Sequence, residues 1–390
     1  MINPPKDLPL AEIIPDEPLL LMGAGPVPIP NIVSQANGVV INHLGDTMNQ
    51  VIDRVKLMAA YTFQTKSKKI LGISGPASAA MEMAISNLVW SGRKILVLKM
   101  GTFSGRFAEM ATAVGGDVTI LENNDYKPFT KEEVEKELNQ NDYDVITITQ
   151  GETSCGLKNI NLKEIALLAH SKNVLTIVDA VCTLSTMELP MDEWKLDVVV
   201  TGGQKGLSSI PGVSLIAFSD KAWKEIESRK VPCPHWCLDA RKAYGFWNDK
   251  KYHYTAPVPG ILALHEALRL ICLESLESRF ERHLNSSKDL QKGIESMGLE
   301  LFIPEEFRLN SVLAIKLPQG INSHDLIEHM IKAYYVEISG AFGLDIIRIG
   351  QMGQQCRPQN IIRALYALGM SFKNMGLDLN LAAGMAALEQ

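Results

Sequence analysis

Long apolar runs are absent from this sequence, and none approaches the roughly 20 residues that span a bilayer. The segment Met1–Glu17 contains prolines and acidic residues where a signal peptide has an apolar core. Basic residues form no concentrated stripe, and a net charge of −6 argues against a nucleic-acid partner. Only six cysteines occur among 390 residues, without a disulfide framework, which is typical of a reducing compartment. These absences predict a cytoplasmic protein that binds neither membrane nor nucleic acid.

Two motifs that often mark ligand sites are incomplete here. The stretch Cys233–Cys237 offers two cysteines and one histidine with no fourth ligand nearby, so we predict loop packing and no metal site. The glycine turn Gly23–Gly25 precedes a proline-rich segment in which no helix can begin, which excludes a dinucleotide-binding fingerprint. A packed N-terminal arm and a direct contact with a ligand are alternative roles for this turn.

The hydrophobic content of 46% and charged content of 21% are those of an ordinary globular protein, and the length favours one large and one smaller domain. Strand and helix patterns alternate from Ile70 to Phe218, which predicts a parallel sheet with helices on its faces. One long amphipathic helix is predicted over Gly260–His283, followed by an α+β region. The predicted divisions are an N-terminal arm (1–30), a large domain (31–260), a bridging helix (261–283) and a small C-terminal domain (284–390).

The stretch Asp197–Gly212 contains a lysine in an unusual position. Four strand-forming residues run into a glycine-rich loop, which would lift Lys205 to the carboxyl edge of the sheet, where open α/β sheets bind ligands. A lysine shielded from water can lose its proton and attack an aldehyde. A surface loop lysine is the commoner explanation for this stretch alone, so the residues around it must decide.

A buried acid is predicted beside this lysine. Asp179 follows the apolar strand Val174–Val178, and an acid in such a place is costly unless it has a cationic partner. The interval between Asp179 and Lys205 fits one crossover helix and a return strand, which would bring both side chains to the same sheet edge. The spacing therefore predicts that the two groups share one site.

Three other strand ends supply groups of complementary chemistry. The turn Ser74–Ser78 opens the predicted helix Ala77–Leu88 and suits a phosphate, although a simple strand–helix corner explains it equally well. Phe103 lies in a loop before a helix predicted over Arg106–Val114, where it could stack on a ring or belong to the core. The loop that contains Thr153 is rich in hydroxyl groups.

Arg348 lies in the middle of the predicted strand Ile346–Gly350. Its side chain should point to the face opposite Ile347 and Ile349, into the protein or a cleft, where it would suit a carboxylate. The alternative is a surface arginine on an edge strand. A lysine for an aldehyde, an acid for a pyridine nitrogen, phosphate donors, a stacking aromatic and this arginine together indicate a pyridoxal-phosphate enzyme.

Five motifs resemble one known family over nearly the whole chain. The sequence is similar to the class V aminotransferases, above all the alanine–glyoxylate and serine–glyoxylate (serine–pyruvate) group. The resemblance implies fold-type I architecture, with a mainly parallel seven-stranded sheet in the large domain and a smaller α+β domain. It is carried by SGPASAAMEMAISNL, GETSCG, VDAVCTL, DVVVTGGQKGLSSIPG and RIGQMG.

The resemblance also implies roles for individual residues. Lys205 would form the Schiff base with pyridoxal 5′-phosphate and move the proton, and Asp179 would pair with the pyridinium nitrogen. Phe103 would stack on the ring, with Val181 on its other face and Thr153 near the phenolic oxygen. The implied phosphate contacts are Pro76, Ala77, Ser78 and Gln204, together with Tyr252 and Thr255 of a neighbouring subunit in a homodimer.

The implied substrates are small. Arg348 would bind the substrate carboxylate near the backbone of Gly23, Ala24 and Gly25, in a ping-pong transfer from alanine or serine to glyoxylate or pyruvate. The family usually has glycine at position 77 and threonine at 155, where this chain has Ala77 and Cys155. The arm and the ending NLAAGMAAL are similar to pyridoxamine–pyruvate aminotransferase, although Pro76 replaces its characteristic glutamate.

Other activities remain open at this point. A 2-aminoethylphosphonate aminotransferase would use the same motifs, because they do not select the side chain of the substrate. A lyase or desulfurase would need a mobile catalytic cysteine, for which Cys356 is the only late candidate and lacks a suitable loop. A non-enzymatic binding protein would make the Lys205–Asp179 arrangement a coincidence.

Overall fold

The computed structural model describes residues 2–3, 5 and 7–388, so residues 1, 4 and 6 of the predicted arm and the last two residues lie outside it. Its strands are β1 (Leu20–Leu21), β2 (Ile70–Ser74), β3 (Lys94–Lys99), β4 (Asp117–Glu122), β5 (Val145–Thr149), β6 (Gly151–Glu152), β7 (Leu157–Lys158), β8 (Leu175–Asp179), β9 (Val198–Gly202), β10 (Val213–Phe218), β11 (Val312–Lys316), β12 (Val336–Glu337), β13 (Ser339–Gly340) and β14 (Ile346–Gly350).

Helices cover both faces of the main sheet and surround the C-terminal strands. They are α1 (Asn31–Asn37), α2 (Asp46–Phe63), α3 (Ala77–Leu88), α4 (Thr102–Ala113), α5 (Lys131–Gln140), α6 (Leu162–Ser171), α7 (Asp220–Ser228), α8 (Ala240–Trp247), α9 (Val258–Glu274), α10 (Leu276–Ser296), α11 (Ser323–Tyr334), α12 (Pro358–Asn374) and α13 (Leu381–Ala386), with short 3-10 turns at Leu10–Glu12 and Glu305–Phe307.

The main sheet has seven strands in the order β2-β10-β9-β8-β5-β3-β4. Strand β10 runs antiparallel to both of its neighbours, and the other pairs are parallel. Every residue of β5, β8, β9 and β10 is buried, as expected for strands that have helices on both faces. The predicted mainly parallel sheet is therefore confirmed.

A second hydrophobic core lies between the C-terminal helices and the antiparallel sheet β11-β14-β13. The N-terminal arm joins this core, because β1 pairs in parallel with β12 and the side chains of Leu20 and Met22 are buried there. The arm then continues through the Gly23–Gly25 turn toward the carboxyl edge of the main sheet. The domain boundaries predicted from the sequence remain predictions.

Three helix predictions are wrong. A crossover helix was expected between Asp179 and Lys205, but the described segment between β8 and β9 contains turns and no helix. The single helix expected over Gly260–His283 is two helices, because Ser275 has a left-handed φ of 68° and its side chain accepts the Ser278 amide to begin α10. Helix α4 begins at Thr102 instead of Arg106. By contrast, the structure confirms the predicted helix Ala77–Leu88.

Two observations bear on location. Among the described residues, no helix combines the length and the hydrophobicity that a membrane crossing requires. All six cysteines are free thiols. A cytoplasmic location remains a prediction from the sequence.

Candidate active site

Asp179 and Lys205 lie at the carboxyl edge of adjacent parallel strands. Asp179 is the last residue of β8 and pairs in register with Val200 of β9. Strand β9 ends at Gly202, three residues before Lys205. The predicted meeting of the two groups at one edge of the sheet is confirmed.

A cavity of about 240 Å³ opens at this edge. Four residues that the sequence did not single out also border it: Met81, Arg106, Gly151 and Cys182. The cavity wall contains nine of the residues expected to bind the cofactor, namely Pro76, Ala77, Ser78, Phe103, Thr153, Asp179, Val181, Gln204 and Lys205.

Asp179 is a buried carboxyl group whose environment disfavours its charge. It is 6% exposed, and its Oδ1 accepts a hydrogen bond from the Val181 amide at 2.9 Å. Burial raises its pKa to about 7 and the nearby Glu152 adds to this effect, while the Val181 amide, Lys205 and Arg106 oppose it. A cationic partner in the cavity would therefore stabilise the carboxylate.

The amine of Lys205 is poised for loss of its proton. Its Nζ donates to the carbonyl oxygen of Ala24, which brings the N-terminal arm to the site. Burial lowers the lysine pKa, and the positive charges of Arg348 and Arg106 lower it further against the opposing effects of Cys182 and Asp179. The predicted contact between the Gly23–Gly25 turn and the site is thus observed as a backbone contact with Lys205.

The first turn of α3 forms an anion-binding corner. Pro76 is the N-cap residue in an extended conformation, and no side chain caps the amides that follow. Strand β9 approaches this corner closely, because a β-carbon at Gly202 would lie 3.0 Å from the Ala77 Cβ. A helix N-terminus with uncapped amides favours a phosphate by hydrogen bonding and by the helix dipole.

Glu152 is a functional residue that the sequence did not reveal. Its buried carboxylate accepts the amides of Phe103 at 3.2 Å and Ser104 at 2.8 Å, and the Ser104 hydroxyl at 2.8 Å. It also accepts the Ser154 hydroxyl at 2.5 Å. Glu152 thus caps α4 from another strand, which explains the early start of that helix and fixes Phe103 beside the cavity.

Arg348 points into the protein, as predicted, and the edge-strand alternative is wrong because β14 is the central strand of its sheet. The side chain is 5% exposed. Its Nε donates to the Gly340 carbonyl at 2.9 Å, which also accepts from Nη2, and its Nη1 donates to the Thr153 carbonyl at 2.7 Å. Three of the five N–H groups of the guanidinium are therefore engaged, and two remain for an anion.

Arg106 is the second residue that sequence reasoning missed. It lies on α4 with its guanidinium carbon 4.7 Å from the ring centroid of Phe103, and its Nη1 donates to the Ser78 hydroxyl at 3.4 Å. The positive charge thus lies between the ring-stacking candidate and the anion-binding corner. Sequence reasoning missed it because its spacing of one helical turn from Phe103 is meaningful only once α4 is known to begin at Thr102.

Two of the residues expected to bind the cofactor do not line this cavity. Tyr252 is 65% exposed and makes an edge contact with the ring of His43 at 5.8 Å between centroids. Thr255 is also exposed. The expectation that both residues serve a neighbouring subunit remains a prediction.

Three features of the cavity itself fit pyridoxal phosphate. Burial raises the pKa of the Asp179 carboxyl, and a pyridinium nitrogen would supply a cation that stabilises its charged form. The Oε1 atom of Gln204 is buried without a hydrogen-bond partner among the described residues. The first amides of α3 have no side-chain cap, so they favour an anion. These needs correspond to the ring, the polar substituents and the phosphate of the cofactor.

The mainly parallel sheet, flanked by helices, has the fold of solved aminotransferase structures. The family model described as aminotransferase class-V matches residues 31–352, and the chain belongs to this family of enzymes. Alanine–glyoxylate aminotransferase of Oryctolagus cuniculus is 32% identical over 377 residues, which cover 94% of this chain and 95% of that protein.

Two solved structures are similar over nearly the whole chain. Ureidoglycine–glyoxylate aminotransferase of Bacillus subtilis has a TM-score of 0.93 at 27% identity, covering 97% of this chain and 100% of that one. Pyridoxamine–pyruvate aminotransferase of Mesorhizobium loti has a TM-score of 0.91 at 24% identity, covering 96% and 97%. The second likeness concerns the fold alone.

Proposed function

We propose that this protein is a pyridoxal-phosphate-dependent transaminase that moves an amino group from alanine or serine to glyoxylate or pyruvate. The observation that carries the proposal is that Lys205 and the buried Asp179 line the same cavity at the carboxyl edge of the sheet. Burial and the charge of Arg348 lower the pKa of the lysine there. Glyoxylate is favoured as acceptor because two similar proteins, from Oryctolagus cuniculus and Bacillus subtilis, carry it in their names.

The chain's own residues would hold the cofactor as the cavity suggests. Ser78, Gln204 and the first amides of α3 would bind the phosphate with Arg106, Asp179 would pair with the ring nitrogen, and Phe103 and Val181 would pack on the ring. When bound, pyridoxal phosphate supplies an aldehyde that binds amines and a ring that takes up electrons. Thr153 would lie at the ring's polar edge.

Lys205 would have two tasks in a ping-pong reaction. Its amine would hold the cofactor aldehyde, and when free it would remove the proton from the substrate Cα. Its lowered pKa supports the second task, because a base must be unprotonated at working pH. Nζ would hold that proton and pass it from the substrate Cα to C4′, which leaves the amine neutral again.

Arg348 would bind the substrate carboxylate with its two remaining N–H groups. The carbonyls of Gly340 and Thr153 hold the guanidinium in one orientation, which suits bidentate binding. The substrate would lie between Arg348 and Lys205, close to the Gly23–Gly25 turn. This arrangement favours small substrates with one carboxylate.

The proposal includes a homodimer in which each chain contributes residues to the active site of the other. Tyr252 and Thr255 are exposed on this chain, and we expect them to complete the phosphate site of a second copy. Val40, which is 80% exposed, and Val39 are apolar residues in the segment that leads to His43, the ring that Tyr252 touches. An apolar surface around Tyr252 is what an interface would cover.

A desulfurase activity has less support. Cys356 is 1% exposed, its thiol donates to the Gly353 carbonyl at 3.1 Å, and burial raises its pKa. A catalytic cysteine needs exposure and a low pKa. Pyridoxamine and 2-aminoethylphosphonate remain alternative amino donors, because the same cavity residues would serve them.

The test is a set of half-reactions with the purified holoenzyme. Alanine, serine, aspartate, 2-aminoethylphosphonate and pyridoxamine are mixed with the protein one at a time, and the visible cofactor absorbance is followed. We expect alanine or serine to convert the cofactor fastest, and glyoxylate to restore it faster than pyruvate or 2-oxoglutarate. Conversion by aspartate or pyridoxamine alone would overturn the assignment of the donor, and release of sulfide from cysteine would favour the desulfurase.

A further inference from the structure

Arg279 of α10 is a buried arginine that contacts both loops of the candidate site. It is 3% exposed. Its Nε donates to the Ser185 carbonyl at 3.1 Å, and its Nη2 donates to the Gly206 carbonyl at 2.7 Å and the Ser208 hydroxyl at 3.2 Å. Gly206 directly follows Lys205 in the chain. Ser185 lies in the segment that follows Asp179.

The two loops are packed together at the place where Arg279 binds them. The Ser185 hydroxyl donates to the Gly206 carbonyl at 2.8 Å. A β-carbon at Gly206 would lie only 2.3 Å from the Leu184 carbonyl oxygen. Arg279 therefore joins the two loops where their backbones are in direct contact, and any shift of the lysine loop must break its hydrogen bonds.

The buried charge of Arg279 has a partner that does not touch the site. Glu274, at the end of α9, accepts Nη1 of Arg279 at 2.8 Å and also binds Arg282 at 2.5 and 2.9 Å. Removal of one partner from a buried ion pair is costly because the other charge is left alone. Here Glu274 keeps Arg282 if Arg279 is replaced, so a neutral variant leaves no orphaned carboxylate.

We propose that Arg279 is a positioning residue that sets the place of the Lys205 amine relative to Asp179. The guanidinium fork supplies three donors to the two loops from one rigid plane, which a lysine side chain cannot match. The catalytic consequence of this positioning rests on the proposed function, because it assumes that Lys205 is the catalytic lysine. Its structural part concerns the lysine loop alone.

Arg279→Met is the main test, and Arg282→Met is its matched control. Both substituted residues lie on α10 and bind Glu274 of α9. Arg282 donates to the Gly353 carbonyl and not to the lysine loop. Hydrogen exchange of the cofactor-free protein reports on Ser208 and Ser209, whose amides bind the Lys205 and Gly203 carbonyls. We expect these amides to exchange at least ~10-fold faster in Arg279→Met than in Arg282→Met.

The holoenzyme supplies a second measurement. In Arg279→Met we expect kcat to fall by roughly 100-fold and the pH midpoint of the visible cofactor absorbance to shift, with KM for alanine nearly unchanged. Arg279→Lys should recover part of the loss, and it replaces Arg279→Met if that variant does not fold. If the Ser208 and Ser209 amides exchanged at equal rates in Arg279→Met and Arg282→Met, the positioning role would be overturned.

The two proposals fail in different ways. A wild-type holoenzyme without transaminase activity would remove the proposed function, while the exchange experiment would still decide whether Arg279 holds the lysine loop. A normal pH midpoint and normal kcat in Arg279→Met, with faster exchange, would reduce Arg279 to a purely structural residue and overturn its catalytic consequence.

Discussion

Gly25 and Lys205 approach each other so closely that a β-carbon at Gly25 would lie 2.7 Å from both Cδ and Nζ of the lysine. Gly25 also has a φ of +97°, which side chains rarely adopt. The N-terminal arm, anchored in the second hydrophobic core through Leu20 and Met22, thus forms part of the wall around the lysine. Its sequence is constrained by a residue about 180 positions away.

Gly25→Ala should therefore reduce catalysis more than stability. We expect kcat to fall by roughly 100-fold, because the added methyl group must displace the lysine side chain. Gly298→Ala is the control, since Gly298 has a similar φ of +93° and no atom within 4 Å of its β-carbon position. Both variants should lose about 1 kcal/mol of unfolding free energy from backbone strain, and equal kcat values would show that the contact is unimportant.

Lys205→Ala should remove turnover and leave the fold intact. We expect kcat to fall by at least ~1,000-fold, because both the anchoring amine and the base are lost. Borohydride should no longer fix the cofactor to the protein, and circular dichroism should stay unchanged. The exposed Lys230→Ala variant is the control, and substantial activity in Lys205→Ala would eliminate the proposed mechanism.

Asp179→Asn should stabilise the cofactor-free protein at alkaline pH. The pKa of Asp179 rises from 3.8 in an ordinary setting to about 7 when folded, so the folded state holds the proton more tightly. The stabilisation this provides is complete below pH 3.8 and is lost as the pH rises through 7. Asparagine avoids that loss.

Thermal unfolding at pH 4 and pH 8 measures the effect of Asp179→Asn. At pH 8 the cofactor-free variant should be more stable than the wild type by up to ~4 kcal/mol, and the difference should shrink toward pH 4. The exposed Asp142→Asn variant is the control for the loss of one carboxylate from the surface. A difference that is independent of pH would mean that the carboxyl group is already neutralised by its neighbours.

Arg348→Ala should weaken both substrates. Loss of two charge-assisted hydrogen bonds predicts a roughly 100-fold rise in KM for the amino acid and the oxo acid. Steady-state kinetics with alanine and glyoxylate measure the change, and Arg363→Ala, a half-exposed arginine on α12, is the control. If KM were unchanged for both substrates, the carboxylate would have to bind elsewhere.

Local patterns were sufficient to find the centre of the site. Asp179 and Lys205 each follow an apolar run, and parallel strands bring their carboxyl ends to one edge, so their meeting could be predicted. Arg348 followed from simple alternation along a strand. The five motifs of the resemblance added roles that no pattern supplies, such as those of Val181 and Gln204.

Contacts between distant segments accounted for the failures. The early start of α4 depends on Glu152, about 50 residues from Phe103, and no local signal in the α4 sequence predicts that cap. In the sequence, Arg279 is one polar residue of an amphipathic helix, and only the fold shows that it contacts the lysine loop. The break between α9 and α10 depends on a positive φ at Ser275, which serine seldom adopts. The continuous helical periodicity of the sequence across this position was therefore misleading.

The capping of α4 by Glu152 also has an evolutionary consequence. A substitution at Glu152 leaves the Ser104 hydroxyl and the amides of Phe103 and Ser104 without their common acceptor, so single changes at either position 104 or 152 would be penalised. Glu152 binds position 103 only through its backbone amide, so this constraint does not extend to the aromatic side chain there. We expect descendants of this chain to inherit positions 104 and 152 together.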